Sequence, residues 1–151
     1  MKKKLYFGRI KLRKISKAKE NNFKYFLKKN NINKLNLKKK LILEIGIGMG
    51  ENLIHLSRKN LQKKIIGVDP FKNGMVNVSD YFIKNNVKNV YLYPFVFQKF
   101  LNKFKKLRFD IIYILFPDPW PKKKHHKRRI VNKQFLIKLL KILKINGKVY
   151  F

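Results

Sequence analysis

The chain has 151 residues, 45% of them hydrophobic, which is the size of one domain with a substantial core and leaves little room for two. It carries 33 lysines and 6 arginines against 7 acids, a formal charge of +32, and no cysteine, which excludes disulfides, thiolate nucleophiles and cysteine zinc sites. No apolar run nears the roughly 18 residues that span a bilayer, and Met1-Lys2-Lys3-Lys4 precedes no signal-like stretch, so a soluble, cytoplasmic protein without membrane contact is expected.

Residues 1–40 hold 14 lysines and 2 arginines against the single acid Glu20 and read as a basic arm. Ile15, Ala18, Phe23, Phe26 and Leu27 fall near helical spacing there, so the arm is expected to carry a helix over about 17–29. From residue 41 short apolar runs alternate with helix-length polar segments, the pattern of repeated βα units and a parallel sheet. Five strands are predicted, at 41–45, 64–68, 89–93, 110–116 and 148–151, with helices over 51–60, 72–86, 97–106 and 131–144. Phe135, Leu136, Leu139, Leu140 and Leu143 would form the apolar face of the last helix, and Gly147 would turn the chain into the last strand. The reading is a doubly wound α/β domain over 41–151, with the sheet in spatial order 3-2-1-4-5.

The first strand exits through Glu44-Ile45-Gly46-Ile47-Gly48-Met49-Gly50-Glu51. Glycines at 46, 48 and 50 permit positive φ and close approach of a ligand, and the next helix aims its N-terminal amides at the same place. A tight βα loop would need the same glycines. The dinucleotide pattern G-x-G-x-x-G fails because position 51 is glutamate, and a pyrophosphate would be repelled by Glu44 and Glu51. The second strand ends at Asp69, where a carboxylate can accept two ribose hydroxyls, although a plain strand-end acid would read alike. Glu44, Asp69, Asp110 and Asp118 are all expected at strand ends facing one crevice.

Three of the five prolines stand at 117, 119 and 121, around Asp118 and the only tryptophan, Trp120. A loop so stiffened can fix a carboxylate and an aromatic plane against a base. Lys122-Lys123-Lys124-His125-His126-Lys127-Arg128-Arg129 follows at once, six permanent cations in eight residues, suited to phosphates. A generic basic tail or an import signal would share that composition. Much of the remaining lysine excess is what biased codon usage alone produces, so the clustered arginines carry more weight. His125 and His126 have no further ligand in register, and phosphate contact or simple exposure is preferred to a metal.

The E-x-G-x-G-x-G strand exit, Ile66-Gly67-Val68-Asp69-Pro70-Phe71, and Phe116-Pro117-Asp118-Pro119-Trp120 with its Lys-His-His-Lys-Arg-Arg tract resemble the bacterial tRNA (guanine-N7)-methyltransferases. Phe7-Gly8-Arg9 in the arm is similar too. The resemblance implies a class I methyltransferase fold, S-adenosylmethionine as methyl donor without a metal, and guanine 46 of the tRNA variable loop as target. Position by position it implies cofactor contacts at Glu44, Gly46, Gly48, Gly50, Asp69 and Asp118, with Asp118 catalytic. It also implies substrate or RNA contacts at Lys122, Lys124, His125, His126, Lys127, Arg128 and Arg129. Two departures accompany it. Val96 stands where the family has an acid against adenine, and the family continues for tens of residues beyond the fifth strand. The 151 residues are therefore expected to be C-terminally incomplete, less stable than a full-length relative, prone to association through an open strand edge, and weak or inactive as a methyltransferase. An RNA-binding remnant without activity is the alternative from another class. Exocyclic-amine methylation is the alternative among enzymes, but its D/N-P-P-aromatic motif lacks the single proline before Trp120 and the basic tract.

Overall fold

The computed structural model describes Gly8 and residues 14–151. Residues 1–13 of the basic arm, with Phe7 and Arg9, lie outside the described residues apart from Gly8. In chain order the elements are α1 (Lys17–Lys29), β1 (Leu41–Ile45), α2 (Glu51–Lys59), β2 (Lys64–Val68), α3 (Lys72–Lys84), β3 (Val90–Tyr93), α4 (Phe97–Lys103), β4 (Phe109–Tyr113), α5 (Lys133–Leu140) and β5 (Leu143–Tyr150). The strands form one parallel sheet in the order β3-β2-β1-β4-β5, as the βα alternation predicts. Among the described residues, no helix is long and apolar enough to cross a membrane.

β1 lies at the centre, and all five of its residues are buried, which is why Leu41-Ile42-Leu43 reads as an uninterrupted apolar run. The two-residue period of the strand splits it between two cores. Leu41, Leu43 and Ile45 join Phe97 and Phe100 of α4 and Phe135 and Leu139 of α5. Ile42 points the other way, to Leu53 of α2, Met75 and Phe82 of α3, and Phe23 and Phe26 of α1. Alternation puts Glu44 on this second side, inside the protein. Ser16 caps α1, accepting from the Lys19 amide, and the helix lies along α3 through a Lys72–Glu20 ion pair and a bond from Asn22 to Asp80.

Several predicted elements have other bounds: α3 closes at Lys84 and α4 at Lys103, short of 86 and 106, and three further differences bear on the site. β4 stops at Tyr113 instead of continuing to 116: Ile114 still donates to Tyr150, but Phe116 takes φ 47° and is 96% exposed ahead of the prolines. α5 closes at Leu140, so of its predicted apolar face only Phe135 and Leu139 are buried, while Leu136 and Leu140 face outward. β5 begins at Leu143, and Gly147 lies within it, not in a turn before it. Leu143 pairs with Phe109 and Lys148 with Ile111, so residues 144–147 bulge out of register. Asn146 takes φ 63° there, and a Cβ on Gly147 would press on Leu143. That bulge aims Lys144 at Asp110, which also accepts from the Leu41 amide. Asp110 therefore sits at the N-terminal end of the sheet and does not face the crevice, contrary to expectation. Because β4 starts at Phe109, this acid lies at the strand's beginning.

Glycines bind α3 to the turn after β1. A Cβ on Gly74 would stand 1.7 Å from the backbone oxygen of Gly48, whereas one on Gly67 would meet the flexible end of Leu53 at 2.7 Å. Gly74→Ala is expected to lower the unfolding free energy by about 1–3 kcal/mol, and Gly67→Ala by less, because backbone yields less readily than a side-chain tip. Urea denaturation of both variants checks the order, and equal losses would show that the α3 contact is not tight.

Candidate active site

The turn after β1 is held from below and open above. Gly46, Gly48 and Gly50 have φ of 80°, 55° and 94°, the left-handed region that disfavours side chains. The Gly46 amide donates to Val68, tying the turn to β2. A Cβ on Gly46 or Gly48 would meet nothing within 4 Å among the described residues, so these two form an exposed floor. Gly50 differs. Its missing Cβ would stand 1.8 Å from Val78 Cγ1, so this glycine serves the packing of α2 on α3.

Asp69, at the exit of β2, reaches across to the same turn. Its Oδ2 accepts from the Gly48 amide at 3.0 Å and its Oδ1 from the Phe71 amide at 2.8 Å. Each oxygen keeps a further lone pair for a ligand. Burial raises its pKa above the ordinary carboxylate value, the Phe71 and Gly48 amides pull it back, and the charge of Asp118 adds to the rise. Glu44 is 2% exposed beneath the turn and does not border the cleft. Burial pushes its carboxyl up to about 7; Asn52 opposes that shift, and the charges of Asp69 and Glu51 add to it. Even so, Glu44 Oε2 and Asn52 Nδ2 each lack a hydrogen-bond partner among the described residues, so the opposition from Asn52 is weak.

Across the cleft stands the loop that leaves β4. Phe116 and Trp120 both have positive φ, 47° and 39°, a conformation that costs a non-glycine residue about 1–3 kcal/mol. The basic tract folds back on this loop as a 3₁₀ turn over Lys123–Arg128. His125 meets the Trp120 ring edge-on at 5.5 Å, the Arg128 guanidinium lies 4.9 Å from the centre of that ring, and Arg129 bonds to the backbone of Pro119 and Trp120. His126 Nε2 lies 3.3 Å from the Pro121 oxygen. Lys122, Lys123, Lys124 and Lys127 are exposed.

The cleft so bounded has a volume of about 970 Å³. Of the residues singled out from sequence it brings together Gly46, Gly48, Asp69, Asp118, Lys127, Arg128 and Arg129; Glu44, Gly50, Lys122, Lys124, His125 and His126 do not line it. Val96 and Phe97 close one side, and Asn132, Gln134 and Lys138 enter from α5 and its cap. Those last three went unnoticed in the sequence. The one local signal was Asn132 as a helix cap, where its side chain accepts from the Phe135 amide. Gly8 also borders the cleft. A second cavity, of about 550 Å³, opens near the N-terminal ends of β2 and β3 and contains none of these acids or glycines. Among the described residues, no group of three or more His, Cys, Asp or Glu could hold a metal ion.

A protein family described as "Putative methyltransferase" matches residues 38–151. The "Bifunctional methyltransferase" of Rickettsia prowazekii (strain Madrid E) is 44% identical over 114 residues, covering 76% of this chain and 22% of that protein. The "tRNA (guanine-N(7)-)-methyltransferase" of Buchnera aphidicola subsp. Baizongia pistaciae (strain Bp) is 39% identical over 108 residues, covering 71% of this chain and 45% of that protein. The chain thus spans less than half the length of either relative. The solved structure of PKMT2 from Rickettsia typhi in complex with AdoHcy matches with a TM-score of 0.55 at 21% identity, over 85% of this chain and 24% of that one. That likeness establishes the fold.

Glu44 gives the site a pH signature. Its carboxyl titrates near 4.5 when unfolded and about 7 when folded, so its contribution is fully present below about 4.5 and lost as pH rises through 7. Between those limits the wild type should lose stability on the order of 3 kcal/mol that Glu44→Gln does not lose. Parallel stability curves for the two proteins from pH 4 to 8 would rule this out.

Proposed function

The chain belongs to the methyltransferase family matched over residues 38–151, and from that premise we propose that it forms the S-adenosylmethionine-binding part of a cytoplasmic tRNA (guanine-N7)-methyltransferase acting on guanine 46 of the variable loop. One observation carries this reading: the open floor of Gly46 and Gly48 with Asp69 faces the Pro117-Asp118-Pro119-Trp120 loop across a single cleft of about 970 Å³. Pockets that bury small ligands have about 300–1,000 Å³, so the cleft has room for a nucleoside donor together with part of a base.

The donor set suits S-adenosylmethionine. Asp69 retains lone pairs for ribose hydroxyls, Val96 and Phe97 give an apolar wall for adenine, and acids nearby suit a cation better than a pyrophosphate. With Val96 in place of the family's acid, one adenine hydrogen bond is missing. Glu44, buried beneath the glycines, acts on the cofactor only through the turn it supports. When bound, S-adenosylmethionine supplies an electrophilic methyl on a sulfonium. Guanine N7 already presents a lone pair, so no proton need be removed first and no Lewis acid is required. Alignment is what remains for the chain to provide, and proximity of this kind removes several kcal/mol from a barrier. Asp118 accepts from the donor edge of guanine and orients it, and Trp120, stacked on Arg128, offers an aromatic surface beside it. The exposed lysines grip the flanking phosphates.

Transfer of labelled methyl from S-adenosylmethionine to a tRNA transcript, followed by nucleoside analysis, tests the proposal. It should yield 7-methylguanosine, and Asp118→Ala should cut turnover roughly a hundredfold, the cost of misaligned reactants. Cofactor and tRNA binding without transfer would instead support the inactive RNA-binding alternative. Replacing Lys122, Lys124 and Lys127 by alanine should reduce the salt slope of tRNA binding by roughly 2, because fewer counterions are released. Cofactor affinity should hold. An unchanged slope would mark the lysines as a solvated charge run.

A further inference from the structure

Arg129 sits in a cationic tract, yet its guanidinium is committed to the protein. Nε donates to the Pro119 oxygen at 2.7 Å and Nη2 to the Trp120 oxygen at 3.4 Å, reaching back ten and nine residues. Pro117, Pro119 and Pro121 carry no N–H, so Asp118 and Trp120 are the only backbone donors between 117 and 121. The loop also holds Trp120 at φ 39°, which the surroundings must enforce. Arg128 stacks on the indole at 4.9 Å and His125 abuts its edge, so the 3₁₀ turn grips the side chain while Arg129 grips the backbone.

We propose that Arg129 is a positioning residue: its two-pronged guanidinium bridges consecutive carbonyls and fixes the loop that presents Asp118 and Trp120 to the cleft. This role is distinct from contact with an RNA phosphate. A guanidinium can span both oxygens at once, whereas an ammonium is a single point of charge. The consequence for turnover rests on the methyl-transfer reading; the consequence for the loop does not.

Trp120 is the only tryptophan in the chain, so its fluorescence reports the loop directly. The experiment compares the full chain with Arg129→Ala and Arg129→Lys by acrylamide quenching, tRNA affinity against salt, and steady-state methyl transfer. In Arg129→Ala the quenching constant should rise roughly twofold, as a released loop becomes accessible. Turnover should fall about tenfold while KM for tRNA stays within roughly twofold, the pattern of a lost alignment rather than a lost binding contact. Arg129→Lys keeps the charge and is the milder change for folding. It should resemble Arg129→Ala in quenching and turnover, with an unaltered salt slope. The proposal is overturned if quenching stays at the wild-type value in both variants. It is equally overturned if lysine restores function while alanine weakens and flattens tRNA binding, because a phosphate contact behaves that way. A wild type without transferase activity would sink the proposed function, and the quenching would still decide the role of Arg129.

Discussion

The Asp69 carboxylate joins the two strand exits on which the cleft depends. One oxygen holds the amide of Gly48 and the other the amide of Phe71, so a single buried side chain ties the turn after β1 to the exit of β2. With Gly46 tied to Val68 as well, the turn cannot collapse over its own floor. Gly74 then allows α3 to press against the Gly48 oxygen from behind. An open surface of backbone results, and it needs a tight scaffold because among the described residues no side chain fills it.

The same economy governs the other acids. In a chain of +32 charge, carboxylates are rare acceptors, and most are spent on internal bonds. Glu20 pairs with Lys72, Asp80 with Lys84 and Asn22, and Asp110 with Lys144 and the Leu41 amide. Burial lifts the Asp110 pKa, but Lys144 and the Leu41 amide outweigh it and hold the carboxyl below its ordinary value. Glu44 differs: it is enclosed, its Oε2 has no hydrogen-bond partner among the described residues, and burial pushes its carboxyl up to about 7. Asp118 stands exposed at the cleft, close enough to Asp69 for their charges to interact. Scarcity of acid therefore marks structural staples as well as the candidate site.

Cationic residues divide in a similar way. The lysines at 122, 123, 124 and 127 face outward, while Arg128 and Arg129 turn towards the loop before them. Guanidinium is the cation suited to both tasks observed, stacking on an indole and donating to two carbonyls. A loop with three prolines has few backbone donors; Arg129 adds two hydrogen bonds to it and Arg128 a ring contact.

Sequence alone determined the α/β class, the strand order, the glycine turn and the proline-stiffened loop, because each follows from local periodicity, from right-handed βα crossovers or from residues with restricted backbones. It also brought Gly48, Asp69 and Asp118 to one end of the sheet, since strand exits in a parallel sheet share that end. Other features depended on the tertiary structure. Glu44 stands next to the glycines in sequence, but only the folded chain shows it sealed beneath them. Asp110 looked like another cleft acid until the start of β4 and the bulge in β5 put it at the far end. Gln134 and Lys138 enter the cleft because α5 crosses beside it, and Arg129 meets Pro119 because a 3₁₀ turn reverses the chain. Those contacts join residues through space with no period or motif to announce them, and only the folded chain brings them together.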